Sequence, residues 1–426
     1  MSFKQRLARL PPQPKTWGPV PTTLTPSEDK APPDALSELR QRMAAIMSAS
    51  PKGLANAPEA LDASDERSRD VQGVEFLPLT PAANALGSYW LGLKRLPPSE
   101  QVGRFSVSCA AEVSAERIAL LALDPSLSDL HLERALYLDT ETTGLSGSGA
   151  YAFLVGLGFF VDGQLQVEQL FIADPTQEAA AIEHLRQRVE ECQLLVSFNG
   201  KSFDWPLLKG RCVMNRLPAL PERPHLDLLH LARRVHKERK NRCKLTSLEC
   251  DVLGFERIGD IDGAEVCSRY LHYLRSGDAT ALDVVLQHNH WDVISMAALV
   301  AVYAQDQPDL TAQDFIGIAQ TLKRARSLTQ AREAADIAIV AGAGTQAHAA
   351  RAEIQKALGD RLASLRDYEA AHQSGSSPKV RLELAKLYEH YAKQPGRALA
   401  LLEQGTSEGP AAAERRQARL QRKLGE

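Results

Sequence analysis

The sequence predicts an α/β domain, a mixed central sheet flanked by helices, followed by an all-α region of helical repeats. Three observations carry that prediction. Apolar runs and helical periodicities follow one another as β-β-β-α-β-α between about residues 135 and 215, and helices follow. Asp162-Gly163 joins two of the apolar runs and is a strong hairpin signal. After about Leu310 the chain becomes rich in Ala, Leu, Arg and Glu, and ALGDRLASLRDYEAA and KQPGRALALLEQG align about 36 residues apart.

Taken in order, residues 1–60 hold ten of the 24 prolines, in segments such as PPQPK, GPVPTT and APPD that continue neither a helix nor a central strand. A mostly disordered tail is expected over 1–73. Within it Leu36, Leu39, Met43 and Ile46 recur at helical spacing, which fits a short docking helix over Asp34 to Ser48 or a transient one. Residues 74–132 read as a lead-in packed on the next domain, with RFSVSCAAEV alternating like a strand. ALYLD, AFLVGLGFFV, QLQVEQLFI and QLLVSF read as strands. Thr176 to Cys192, Phe203 to Asn215, Leu228 to Lys237, Lys244 to Leu253 and Ala279 to Tyr303 read as helices. The α/β domain is expected over 133–306. Repeats of tetratricopeptide type are expected over 311–426, with SLTQAREAADIAIVAG as an earlier copy; a generic helical bundle is the plainer alternative.

Composition narrows the function. A chain of 426 residues usually holds more than one domain. Fifty Lys and Arg against 53 Asp and Glu exclude a wholly basic protein but leave room for a local basic groove. No run approaches the length of a transmembrane helix, and MSFKQRLARLPPQPK lacks the apolar core of a secretory leader. The six cysteines form no C-x2-C pair, so a reducing cytoplasm is the expected location. No P-loop or G-x-S-x-G is present, and Gly156 and Gly158 lie inside an apolar strand rather than at a strand–helix turn.

Three short segments carry chemistry. Asp139 and Glu141 end an apolar strand at i and i+2, so they share a face. Two carboxylates there repel unless a cation lies between them, and Mg2+ or Mn2+ prefers such oxygen ligands. The small residues Thr142, Thr143 and Gly144 leave room for a substrate backbone, although a lone D-x-E also fits solvated surface carboxylates. SFNGKSFD follows a strand and opens a helix, which places Asp204 at the helix N-terminus, with Asn199 and Gly200 as turn residues and Lys201 facing phosphate or solvent. His288 and Asp292 share a helix face as a metal-and-base set or an ordinary i,i+4 pair, whereas Asn289 and His290 lie on other faces. The run Arg233, Arg234, His236, Lys237, Arg239, Lys240, Arg242 and Lys244 reads as a solvated face or a track for a nucleic-acid backbone, which Lys201 and Lys209 would extend. Asp260, Asp262 and Glu265 in GDIDGAE lack calcium-loop spacing and read as a surface loop.

Together LDTETTGL, SFNGKSFDWPLL, HLDLLHLARR, LTSLECDVLGFER, GDIDGAE and LQHNHWDVISMAAL resemble the YprB-like ribonuclease-H-like domain family, within the DEDD or DnaQ-like 3′–5′ exonuclease superfamily. The resemblance covers about 170 residues, and members of that family can carry tetratricopeptide-like repeats after the nuclease-like domain. It implies that Asp139, Glu141, Asp204 and Asp292 hold two divalent cations, Mg2+ or Mn2+. It further implies hydrolysis from a 3′ end of single-stranded DNA or RNA by a two-metal mechanism that releases nucleoside 5′-monophosphates. Thr142, Gly144, Leu145, Asn199, Lys201, Phe203, Lys240 and Arg242 are expected along the nucleic acid. The superfamily carries Tyr four residues before the last Asp or His five before it; this chain carries His288 at the fourth position and Gln287 at the fifth. His288 is then the candidate base or water-orienting group. The alternative is a nucleic-acid-binding module without strong catalysis, coupled to a repeat scaffold that recruits a protein partner. Asp227 is expected to support the site and His225 to sit in the core.

Overall fold

Long apolar runs and two left-handed turn residues set the central sheet. The computed structural model describes residues 73–144, 150–237, 239, 243–306, 308–373, 375 and 377–425, all within the unit Ser50–Glu426. The proline-rich segment before residue 73, with its expected helix, lies outside the described residues, as do Leu145, Lys240 and Arg242. The strands are β1 (Thr80–Asn84), β2 (Gly87–Arg95), β3 (Gln101–Val102), β4 (Phe105–Ser106), β5 (Ala135–Thr142), β6 (Ala152–Val161), β7 (Gln164–Phe171), β8 (Leu194–Ser197) and β9 (His225–Asp227). Seven of them form one sheet in the order β1-β2-β7-β6-β5-β8-β9. The half from β1 to β5 is antiparallel, and β8 and β9 join in parallel, so the sheet is mixed as expected. Asp162 and Gly163 both have positive φ, 51° and 73°, as the tight β6–β7 hairpin requires.

The sheet is wider than its sequence pattern. β1 is an exposed edge strand carrying Pro81, tolerable only at an edge, and β9 is three residues long. The expected strand over RFSVSCAAEV is corrected: only Phe105–Ser106 is extended, paired with β3, and helix α1 (Cys109–Glu112) follows. Burial there recurs at Val107 and Ala110, three residues apart, so the alternation does not persist.

Helix α2 (Ala115–Ala122) is capped by Ser114, and α3 (Glu178–Glu191) is entered through an Asp174–Gln177 capping box. α4 (Asp204–Met214) follows β8, and α5 (Leu228–Val235) is capped by Asp227. α6 (Leu245–Leu248) widens into a π-turn over Glu249–Leu253 that closes on Gly254, where a single α-helix was expected. α7 (Gly263–Ser276) begins inside GDIDGAE, so Gly263 and Glu265 are helical rather than loop. α8 (Asp283–Ala304) is buried all round from Val293 to Tyr303 and crosses the sheet. Its close approach depends on Gly156 and Gly158 of β6. A Cβ at Gly156 would overlap the Asn289 amide, and one at Gly158 would lie 2.6 Å from Val293 Cγ1. Asn289 and Val293 are one helical turn apart, so the two glycines form a seat for α8.

The remaining helices are α9 (Ala312–Arg324), α10 (Leu328–Val340), α11 (Gly344–Leu358), α12 (Arg361–Gln373), α13 (Pro378–His390), α14 (Pro395–Glu403) and α15 (Pro410–Gly425). Phe315, Ile318 and Ala319 of α9 share one continuous core with Val235, Val300 and Ile354, while Tyr368, Leu384 and Leu420 belong to a second, smaller core. A Cβ at Gly317 would strike the Val235 carbonyl oxygen, so α9 lies directly on the end of α5. His236 is fully buried between Asp314 (2.7 Å) and Tyr303 (2.9 Å), and Arg239 pairs with Asp314. Two members of the basic run are therefore internal ties and not part of a solvent face. Among the described residues no helix is long and apolar enough to cross a membrane.

Candidate metal centre

Four carboxylates meet where β5 frays toward α4 and α8. Asp139 and Glu141 lie in the C-terminal half of β5, Asp204 is the first residue of α4, and Asp292 lies one turn after His288 on α8. Asp139, Glu141 and Asp204 line a cleft of about 1330 Å³. The helix that begins at Asp204 also gives the cleft apolar surface, with Phe203, Val213 and Met214 lining it and exposed. Arg211 also lines the cleft, but its guanidinium is committed to Glu178 at 2.6 Å.

Each carboxylate has its own holder. Asp139 Oδ2 accepts from Asn289 Nδ2 at 2.8 Å, and Asn289 Oδ1 in turn accepts from Gln169 at 3.0 Å. Asp204 accepts a short hydrogen bond from the Thr140 hydroxyl. Asp292 Oδ1 is ion-paired with Arg257. That guanidinium is buried, donates to both Glu249 oxygens at 2.5 and 2.7 Å, reaches Asp260 at 3.2 Å, and lies 5.7 Å from the Trp291 ring centre. His288 Nδ1 lies 2.6 Å from Asp260 Oδ1, and its Nε2 faces Glu141 Oε1 at 3.8 Å and Asp292 Oδ2 at 3.9 Å.

The electrostatics follow from this crowding. Burial, then the charges of Asp292, Glu141 and Asp204, hold the Asp139 pKa well above the usual carboxylate range. Burial and Asp292 push Glu141 up to about 7, against the opposing pull of His288 and Arg257. Asp204 is raised as well, chiefly by burial. Burial works against a charge on His288, yet Asp292, Asp260 and Glu141 outweigh it and raise its pKa. Closely spaced carboxylates with raised pKa values need either protons or a cation, and oxygen donors suit a hard divalent ion. Glu141, His288 and Asp292 offer three ligand atoms within 4.8 Å of one another. Asp139, Glu141, Asp204 and Asp292 therefore fit a divalent-metal site in donor type and in charge.

The other expected residues divide. Thr142, Gly144, Asn199 and Phe203 line the cleft. Lys201 is exposed, and its backbone N–H, like that of Asn199, donates to Asp227. Asp227 thus holds the turn that delivers Asp204, which is a supporting structural role. His225 is buried against the Ser197 hydroxyl at 2.7 Å, and burial brings its pKa down to about 4. Lys209 pairs with Glu222 outside the cleft lining.

Sequence reasoning missed Asn289, Gln169, Arg257 and Asp260. Asn289 was assigned to a different face from His288, but α8 lies between β5 and the Arg257 loop and uses both faces. The pairing of Gly156 with Asp139 across β5 and β6 would have been the clue, since it puts a gap beside the carboxylate. Nothing local marks Arg257, whose partner Asp292 is 35 residues away.

Residues 136–304 match a family described as RNase_H_2, RNase_H superfamily. The chain is 30% identical over 308 residues to "Uncharacterized protein YprB" of Bacillus subtilis (strain 168), over 67% of this chain and 74% of that protein. Among solved structures it is similar to the family B DNA polymerase from the hyperthermophilic archaeon Pyrobaculum calidifontis, with a TM-score of 0.32 and 14% identity. That match covers 46% of this chain and 29% of the polymerase, so the chain accounts for under a third of that protein's length. The chain belongs to the RNase_H superfamily, in one family with YprB.

Proposed function

We propose that the protein is a metal-dependent nuclease that removes nucleotides from the 3′ end of single-stranded nucleic acid. The observation that carries this reading is the convergence of Asp139, Glu141, Asp204 and Asp292, the first three of which line an open cleft that also presents apolar surface. These four residues would hold two divalent cations. When bound, such ions lower the pKa of water and neutralise charge on a phosphodiester. The chain's own residues do the rest. Asn289, Thr140 and Arg257 fix the carboxylates so that little reorganisation accompanies ion binding. Phe203, Val213 and Met214 present exposed apolar surface that suits the faces of unpaired bases. Thr142 and Gly144 leave the cleft floor narrow in side chains, so a sugar–phosphate backbone can approach.

The C-terminal helices support a second part of the reading, that residues 311–426 form tetratricopeptide-like repeats after a nuclease domain over 133–306. α11 and α13 start 34 residues apart, as do α12 and α14. Such repeats would dock a protein partner. A weaker alternative, a binding module that does not cut, is favoured by one observation: His288 stands where relatives of this superfamily carry Tyr.

The test is digestion of 3′- and 5′-labelled single-stranded DNA and RNA with Mn2+, Mg2+ or EDTA, comparing the natural chain with Asp139→Asn/Asp292→Asn. Metal-dependent shortening from the 3′ end, lost in the double variant, supports the nuclease. Tight end binding with no cleavage by a folded chain transfers the case to the binding module.

A further inference from the structure

His288 differs from a free general base in one respect that the distances make plain. Its Nδ1 lies 2.6 Å from Asp260 Oδ1, and a carboxylate oxygen can only accept, so Nδ1 carries the proton. Arg257 Nη1 is 3.5 Å from the same nitrogen and already donates to Asp260 Oδ2 at 3.2 Å. With Nδ1 anchored in this way, Nε2 is the ring nitrogen left to face the site. Nε2 lies 3.8 Å from Glu141 Oε1 and 3.9 Å from Asp292 Oδ2. These three possible ligand atoms lie within 4.8 Å of one another, close enough for one ion to join them in place of a proton. A metal-bound imidazole nearly always has its other N–H anchored on a carboxylate or carbonyl, and Asp260 provides that anchor.

We propose that His288 is a metal ligand through Nε2, so that the ion held with Glu141 and Asp292 is a transition-metal ion such as Mn2+ in preference to Mg2+. The inference deepens the metal-site reading and rests on it. Mg2+ demands oxygen ligands and strict octahedral geometry, whereas an imidazole nitrogen favours first-row transition metals. Arg257 contributes by occupying the other Asp292 oxygen, which leaves Oδ2 alone for the ion. Among the described residues no comparable nitrogen donor faces Asp139 or Asp204: Asn289 meets Asp139 with an amide N–H, and Thr140 meets Asp204 with a hydroxyl. The selectivity is thus a property of one of the two seats. His290, the neighbouring imidazole, cannot substitute, because it is buried near Lys94, at 3.4 Å.

The test uses the full chain loaded with Mn2+ and read by pulsed electron paramagnetic resonance, which detects the 14N nucleus of a coordinated imidazole without any turnover. The natural chain is expected to show that nitrogen modulation, and His288→Tyr to lose it while still binding Mn2+. Titration calorimetry is expected to show the Mn2+-over-Mg2+ affinity ratio falling at least tenfold in His288→Tyr, and Mn2+ affinity falling 10- to 100-fold in Asp260→Asn. Should the His288 variant fail to fold, the spectrum of the natural chain decides alone. Mn2+ bound without nitrogen modulation overturns this proposal and leaves the carboxylate site intact. No Mn2+ binding at all overturns both.

Discussion

Replacing Gly156 with Ala should unseat Asn289 and, through it, Asp139. A Cβ at this position would lie 2.7 Å from Asn289 Nδ2 and closer still to its Oδ1, and that amide is held in place by Gln169 and Asp139. Asn289 is fully buried and holds two hydrogen bonds, from Gln169 and to Asp139. Inserting a methyl into a packed core costs about 1–3 kcal/mol. Leaving the buried amide without partners adds about 1–3 kcal/mol. Gly156→Ala is therefore expected to lower unfolding free energy by about 2–6 kcal/mol in denaturant titration, and to weaken Mn2+ binding because Asp139 loses its orienting donor. The decisive measurement is the double variant Gly156→Ala/Asn289→Ala. With the amide gone, the new methyl fills the space it left, so the double variant should be no less stable than Asn289→Ala alone. Additive losses would refute the seat argument, as would a Gly156→Ala chain as stable as the natural one.

Other outcomes follow from the same site. Asp139→Asn should abolish hydrolysis and leave the melting temperature of the metal-free chain unchanged or higher, since one of the mutually repelling carboxylates becomes neutral; a clear drop in melting temperature would contradict this. Arg257→Met strands the buried Glu249 and should cost about 3–5 kcal/mol, while Glu249→Gln/Arg257→Met recovers much of that; equal losses in the two would show that the pair is not balanced as described. Metal-free stability should fall as pH rises from about 4.5 to 7. Glu141 in the fold holds its proton up to about 7, so the native state binds more protons than the unfolded chain across that interval, and the raised His288 pKa acts in the same direction. The effect is on the order of 3 kcal/mol for Glu141, read by urea midpoints across pH in EDTA. Mn2+ should flatten the dependence, and a stability that rises with pH in EDTA would reverse the assignment.

The parts of the fold legible in the sequence are those with strong local pattern. AFLVGLGFFV-DG-QLQVEQLF carries its apolar content and its turn within twenty residues, and β6 and β7 form there. TPAAN carries neither, because an exposed edge strand has no buried face to impose a period, and HLD is too short to show one. The same division runs through the site. Asp139 with Glu141, and His288 with Asp292, are close in sequence and share a face, so spacing reveals them. Asn289 and Asp139 are 150 residues apart, and Arg257 and Asp292 are 35 apart, joined only by how α8 crosses the sheet. Counting charge in the run from Arg233 to Lys244 misleads for the same reason: Asp314, which holds His236 by a hydrogen bond and pairs with Arg239, lies more than seventy residues on.

The tie between α9 and the end of α5 makes the RNase H-like layer and the first of the following helices a single cooperative unit. Asp314 is held far below the usual carboxylate range, against the cost of burial, by Arg239 and His236, and Gly317 leaves no gap in which a hinge could work. Opening this seam would break the ion pairs and bare the shared core at once, so amide protons in α5, α8 and α9 should exchange with one common opening energy. A ligand that grips α9–α11 would then raise the unfolding free energy of the layer that carries Asp139, and occupancy on either side of the shared core would be reported by protection on the other.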